Sequence, residues 1–230
     1  MASITVENYL RQIYKEQERL GPGEHLVSVG QVAAKMGVAP GTATSMVKTL
    51  ADAQLVSYEP RKGVWLTEPG TKLALQMVRR HRLAETFLVE VLGLDWSEVD
   101  VEAEELEHAI SDKVLARIDA YLGYPTTDPH GHPIPPPTGQ PIRKELTSLT
   151  DCPTEVPLLI AQVLDEAPEF LRYVGDHGLV PGQRIVVAPR QPATDAVTLS
   201  TTDSESITLG ASAAAKILVE FAEVDRSLMS

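Results

Sequence analysis

The chain has 230 residues, 43% hydrophobic and 23% charged, which suits a soluble protein of one large or two to three small domains. No apolar run reaches the ~20 residues needed to span a bilayer, the N-terminal residues lack the basic start and apolar core of a signal peptide, and the single cysteine, Cys152, allows no internal disulfide. A cytoplasmic protein with no membrane partner is therefore expected. The net charge of −12 is unevenly spread: residues 1–80 carry 10 Lys/Arg against 7 Asp/Glu, 81–150 carry 5 against 13, and 151–230 carry 5 against 12. A mildly basic front end on an acidic body suits contact with phosphate at one end and with a cation at the other.

Val6, Leu10, Ile13 and Tyr14 recur at helical spacing and predict a first helix, ended by Gly21-Pro22-Gly23. Ser28 is placed to cap a second helix with an apolar face of Val32, Ala33 and Met36 and a stop at Gly37. Pro40 suits the first turn of a third helix, which buries Ala43, Val47 and Leu50. Two short strands, over 55–58 and 64–67, flank the basic tip Arg61-Lys62-Gly63. This order describes a winged helix-turn-helix. The small outer face of the third helix and the basic tip favour DNA over protein as its partner. The candidate contacts are Ala39, Pro40, Gly41, Thr42, Thr44, Ser45 and Lys48, with Arg61 and Lys62 from the hairpin.

A helix over about 69–92 and a second over about 98–122 follow, the latter with Leu106, Ala109, Ile110, Val114 and Ile118 on its apolar side. Two adjoining amphipathic helices of this kind commonly pack against a copy of themselves, so a homodimer is expected. Residues 123–141 hold seven prolines and read as a linker. Short strands are predicted over 156–164, 183–188, 196–200, 206–209 and 217–221, suggesting a small C-terminal β-barrel. The fold class is thus mainly α with a C-terminal barrel, divided as 1–72, 73–141 and 142–230.

Two helical clusters carry the chemistry. His81 and Glu85 stand four apart, and Glu104, Glu107 and His108 share one face, because positions three and four apart are neighbours on a helix. Crowded carboxylates repel unless a cation is held between them, and imidazole with carboxylates is a first-row transition-metal ligand set. Metal ligands joined to a DNA reader make a sensor. The rival is a di-metal carboxylate enzyme, but that bundle needs two Glu-x-x-His motifs and only Glu105-Leu106-Glu107-His108 is present. Asp128-Pro129-His130-Gly131-His132-Pro133 places two histidines in the linker, where a proline-stiffened loop is a better reading than a third metal site.

Four segments together resemble the diphtheria toxin repressor family of iron- and manganese-dependent transcriptional repressors. They are Asn8-Tyr9-Leu10-Arg11-Gln12-Ile13-Tyr14, Met77-Val78-Arg79-Arg80-His81-Arg82-Leu83-Ala84-Glu85, Glu104-Glu105-Leu106-Glu107-His108-Ala109-Ile110-Ser111-Asp112 and Asp128-Pro129-His130-Gly131-His132-Pro133-Ile134-Pro135. The resemblance covers essentially the whole chain and implies a winged-helix domain, a helical dimerisation domain and an SH3-like domain. It also implies a primary metal site of Asn8, Glu104, Glu107 and His108, and an ancillary site of His81, Glu85, Asp100, Glu166 and Glu169.

The chain departs from the family pattern at several of these positions. Iron-responsive members have Met and Cys where this chain has Asn8 and Glu104, and short manganese-responsive members have Asp at Asn8 and Glu at Arg11. Exchanging soft sulfur for oxygen moves the primary site towards harder ions, so Mn2+ is expected ahead of Fe2+. The implied function is a metal-activated repressor of manganese or iron homeostasis that binds double-stranded operator DNA as a homodimer.

Overall fold

The computed structural model describes residues 3–20, 23–139, 144–191, 193–201 and 206–222. The predicted Gly21-Pro22 stop and the end of the linker at 140–141 lie outside them. The chain divides into two compact units, each described by itself.

The first unit comprises Met1–His81, Glu105–Leu115 and Ile134–Pro141. Helix α1 (Ile4–Glu18) starts at Ser3, whose hydroxyl accepts from Val6 N. Helix α2 (Val29–Lys35) opens with a full capping box, Ser28 Oγ accepting from Gln31 N while Gln31 Oε1 accepts from Ser28 N. Helix α3 (Pro40–Asp52) carries Pro40 at its first position, where the missing N–H costs no intrahelical bond. Strands β1 (Val56–Glu59) and β2 (Gly63–Leu66) pair antiparallel, and Val27 bridges Val64 on the far side of β2. Leu10, Ile13, Val32, Ala43, Val47, Leu50 and Val64 form the shared core, the same faces the periodicity selected. The winged helix is present as expected.

Helix α4 (Glu68–Glu90) matches the expected long helix. The second is not continuous: it is α5 (Val99–Ala109) followed by α6 (Asp112–Tyr121). The cause is tertiary. The Arg80 guanidinium donates to the carbonyls of Glu107 and Ile110 and pairs with Asp112, drawing off acceptors a continuing helix would use. Ser111 Oγ then accepts from Val114 N and restarts the helix.

The second unit holds Arg82–Glu104, Ala116–Pro133 and Ile142–Ser230. Its sheet has the order β3-β8-β4-β5-β6-β7, all antiparallel, from β3 (Thr147–Ser148), β4 (Pro157–Val163), β5 (Arg184–Val187), β6 (Ala196–Thr201), β7 (Ile207–Gly210) and β8 (Ile217–Phe221). Among the described residues β3 and β7 are edges and the sheet is open, so the expected closed barrel is corrected to a β-sheet domain. An edge strand of two residues, β3, offers too few ladder groups to close on β7. Helix α7 (Pro168–Asp176), not anticipated, buries Leu171 and Val174 into a core with Leu149, Cys152, Leu158, Ile160 and Leu199. The short helix α8 (Ala211–Ala214) follows β7. No helix among the described residues is long and apolar enough to cross a membrane.

Candidate metal centre and nucleic-acid interface

Within the first unit, α1, α4 and α5 bring Asn8, Arg11, His81, Glu107 and His108 together. His108 Nε2 lies 2.9 Å from Asn8 Oδ1 and 3.4 Å from Glu107 Oε1, while its Nδ1 lies 3.3 Å from Glu7 Oε2. Glu107 is fully buried, and its Oε1 has no hydrogen-bond partner among the described residues. A buried carboxylate oxygen without a donor is costly unless a cation completes it. Asn8 Oδ1, Glu107 Oε1 and His108 Nε2 thus fit a small divalent cation, which accepts an oxygen–nitrogen set of this kind.

The other carboxylate oxygen is occupied by Arg11. Its Nη1 donates to Glu107 Oε2 at 2.8 Å and lies 2.6 Å from His81 Nδ1, which is itself 2.8 Å from Glu107 Oε2. In the sequence, Arg11 stands out only as a departure from the family pattern. Its fixed positive charge lies where the short manganese-responsive repressors carry an acidic residue. The partners stand 70 and 96 residues away, so no local pattern announces the contact.

Glu104 lies one turn before Glu107 on α5 and is half-buried. Glu85, one turn after His81 on α4, is buried in the second unit and offers a carboxylate oxygen within 4.8 Å of one from Asp100. Glu166 precedes α7, with Oε1 3.7 Å from His132 Nδ1, whereas Glu169 is exposed on the first turn of α7. Asp128, His130 and His132 are buried and bring donor atoms within 4.8 Å of one another, which a proline-stiffened surface loop does not require. Burial alone would raise the Asp128 pKa. The His132 imidazole facing it at 3.5 Å, then Arg82 and His130, outweigh burial and hold the carboxyl at about 2.

On α3, Ala39, Pro40, Gly41, Thr42, Ser45 and Lys48 are exposed, and Thr44 is half-buried with its hydroxyl donating to Pro40 O at 2.8 Å. At the hairpin, Arg61 is exposed in a left-handed conformation (φ 66°). Lys62 is tied to Glu59 at 2.7 Å, and that hydrogen bond and charge push its pKa up.

Three family models match in succession: "Iron dependent repressor, N-terminal DNA binding domain" over residues 1–64, "Iron dependent repressor, metal binding and dimerisation domain" over 67–136, and "FeoA domain" over 147–221. The iron-dependent repressor IdeR of Mycobacterium leprae (strain TN) is 31% identical over 196 residues, covering 80% of this chain and 83% of IdeR. The chain belongs to the iron-dependent repressor family. Among solved structures, a manganese-dependent transcriptional repressor in complex with manganese is 38% identical, with TM-score 0.85 over 94% of this chain and 100% of the other. ScaR with bound Zn2+ is 31% identical, with TM-score 0.77 over 94% and 99%. These members of the repressor family are regulators, and the di-metal enzyme reading finds no support.

Proposed function

We propose that this family member is a homodimeric repressor activated for binding to double-stranded operator DNA by Mn2+, with Fe2+ as the second candidate. The observation that carries the reading is the cradle of Asn8 Oδ1, Glu107 Oε1 and His108 Nε2, built from the first helix of the winged-helix part and from α5. Glu104 is the fourth proposed ligand; His81, Glu85, Asp100, Glu166 and Glu169 are the proposed ancillary set. A bound divalent ion supplies charge neutralisation between α1 and α5. Asn8 contributes a neutral oxygen, Glu107 a buried negative charge, and His108 a nitrogen lone pair. Fixing α1 to α5 limits how each winged helix hangs from the dimer, and operator affinity rises if that limit favours half-sites about one helical turn, or a multiple, apart. Metal and DNA then tighten one another by the same factor. The all-oxygen-and-nitrogen donor set supports manganese ahead of softer ions.

The proposed domains are 1–72 for DNA binding, 73–141 for metal binding and dimerisation with the linker, and 142–230 for the SH3-like part, in a cytoplasmic protein. The helical region leaves Val101 on α5 67% exposed and Tyr121 on α6 74% exposed, which supports dimerisation through these helices. Lys48 and Arg61 are the proposed phosphate contacts. Duplexes selected from a random library with Mn2+ present test the reading. Specific binding, followed by anisotropy, is expected to vanish in chelator and return with Mn2+ or Fe2+. Unchanged specific binding in excess chelator refutes metal activation.

A further inference from the structure

The loop around His130 is built with more care than a spacer needs. Thr127 and Pro133 bridge its ends, Asp128 N donates to His132 O, and Asp128 Oδ1 accepts the backbone N–H groups of both His130 and His132 at 2.9 Å. Val163 N of β4 donates to His130 O at 2.9 Å. Gly131, at φ 86°, lies so close to β4 that a Cβ there would meet Ala161 O at 2.0 Å. Both imidazoles are thereby held in the interior: His130 is 0% and His132 8% exposed.

Their nitrogens are aimed at carboxylates without bonding them. His130 Nε2 lies 2.8 Å from the Trp96 carbonyl, which only accepts, so Nε2 carries a proton; in the neutral imidazole Nδ1 then keeps its lone pair. That Nδ1 has no hydrogen-bond partner among the described residues and lies 3.7 Å from Glu85 Oε1. His132 Nδ1 also has none, and lies 3.5 Å from Asp128 Oδ2 and 3.7 Å from Glu166 Oε1. A charge-assisted hydrogen bond would draw such pairs to ~2.7–2.9 Å. Ligands sharing a metal at bonds of ~2.1 Å sit ~3.4 Å apart at a tetrahedral edge. The carboxylates of Asp128, Glu85 and Glu166 lie beside the imidazoles, and the Arg82 guanidinium has its Nε 3.5 Å from Asp128 Oδ2 while its Nη1 donates to Pro133 O.

We propose that Asp128, His130 and His132, with Glu166 of the ancillary set at the open side, bind a divalent first-row transition-metal ion at a site distinct from the Asn8, Glu107 and His108 cradle. The Trp96 carbonyl orients His130 as outer partners of metal-bound histidines do. The ion would clamp the end of the linker onto the β-sheet domain, and its binding does not depend on DNA activation. The rival is two imidazolium ions paired with the same carboxylates.

The test uses the full chain. Wild type, His132→Gln and His130→Asn/His132→Gln are loaded with Co2+, desalted, and their bound metal counted by mass spectrometry. The double variant is expected to lose one ion per chain, and His132→Gln, at the rim of the site, to bind that ion at least tenfold more weakly. In parallel, Zn2+ added to 15N-histidine-labelled wild type shifts the Nδ1 resonances of His130 and His132, a readout that needs no variant. The same loss is expected in a Glu107→Gln background and in a His81→Gln background, which separates this site from the activating and ancillary ones. An unchanged metal count in folded variants, or Nδ1 resonances indifferent to Zn2+, overturns the proposal in favour of imidazolium pairs.

Discussion

Arg11→Met is the most revealing substitution, because it moves stability and metal affinity in opposite directions. Met keeps the aliphatic volume of Arg11 but removes the charge facing Glu107, which is 0% exposed and paired at 2.8 Å. Breaking a buried ion pair by removing one partner costs ~3–5 kcal/mol. In chelator, this should lower the melting temperature of the chain by roughly 6–20 °C, at ~2–4 °C per kcal/mol for a chain of this size. A cation bound at Glu107 then replaces the lost charge, and at 100-fold excess over Kd it returns ~2.7 kcal/mol. Removing a unit charge beside a divalent ion should also tighten Mn2+ binding by about tenfold or more, since like charges repel by several kcal/mol at ~6 Å even with an effective dielectric of ~20. Calorimetric melts in chelator and Mn2+ titrations read both quantities on one protein. Equal melting temperatures in chelator together with unchanged Mn2+ affinity would refute the role given to the Arg11–Glu107 pair.

At the primary site, Glu107→Gln should weaken Mn2+ activation of operator binding more than Asn8→Ala, as it removes a charge as well as a donor. Asn8→Met should shift the ranking of activating metals towards Co2+ or Ni2+; half-activating concentrations for each metal decide both points. Lys48→Ala and Arg61→Ala should each lower the salt slope of log K by about 0.9 while sparing metal affinity, whereas Lys62→Ala, already paired with Glu59 at 2.7 Å, should do less. Asp128, held at about 2, contributes stability that is present above its unfolded pKa of ~3.9 and lost as pH falls towards 2. In chelator, wild type should therefore lose about 2 kcal/mol more than Asp128→Asn between pH 5 and 2, measured by urea unfolding at each pH.

The winged helix was legible because its signals are local: a capping box at Ser28, Pro40 at a helix start, and an apolar period that selects Leu10, Ile13, Val47 and Leu50. The break between α5 and α6 was not, because Arg80 makes it from another helix. Helix α7 spans only nine residues, too few for its period to stand out between strands. At the candidate site, spacing selected His81, Glu107 and His108, but the basic partner of Glu107 depended on a contact across 96 residues. Around the two linker histidines, proline content points to a stiff loop and carries no information about burial; Asp128 and Gly131 fold that loop inward.

The donor set around Asn8 and Glu107 has a consequence for life with oxygen. Thiolate and thioether groups are the side-chain atoms that peroxide oxidises most readily. Here the cradle holds only amide, carboxylate and imidazole atoms. The lone thiol, Cys152, is sealed in the core of the β-sheet domain, 3% exposed, where burial pushes its pKa up and keeps it protonated although Arg190 pulls the other way. The cradle thus offers peroxide no sulfur atom to oxidise, and the one thiol of the chain is held out of its reach.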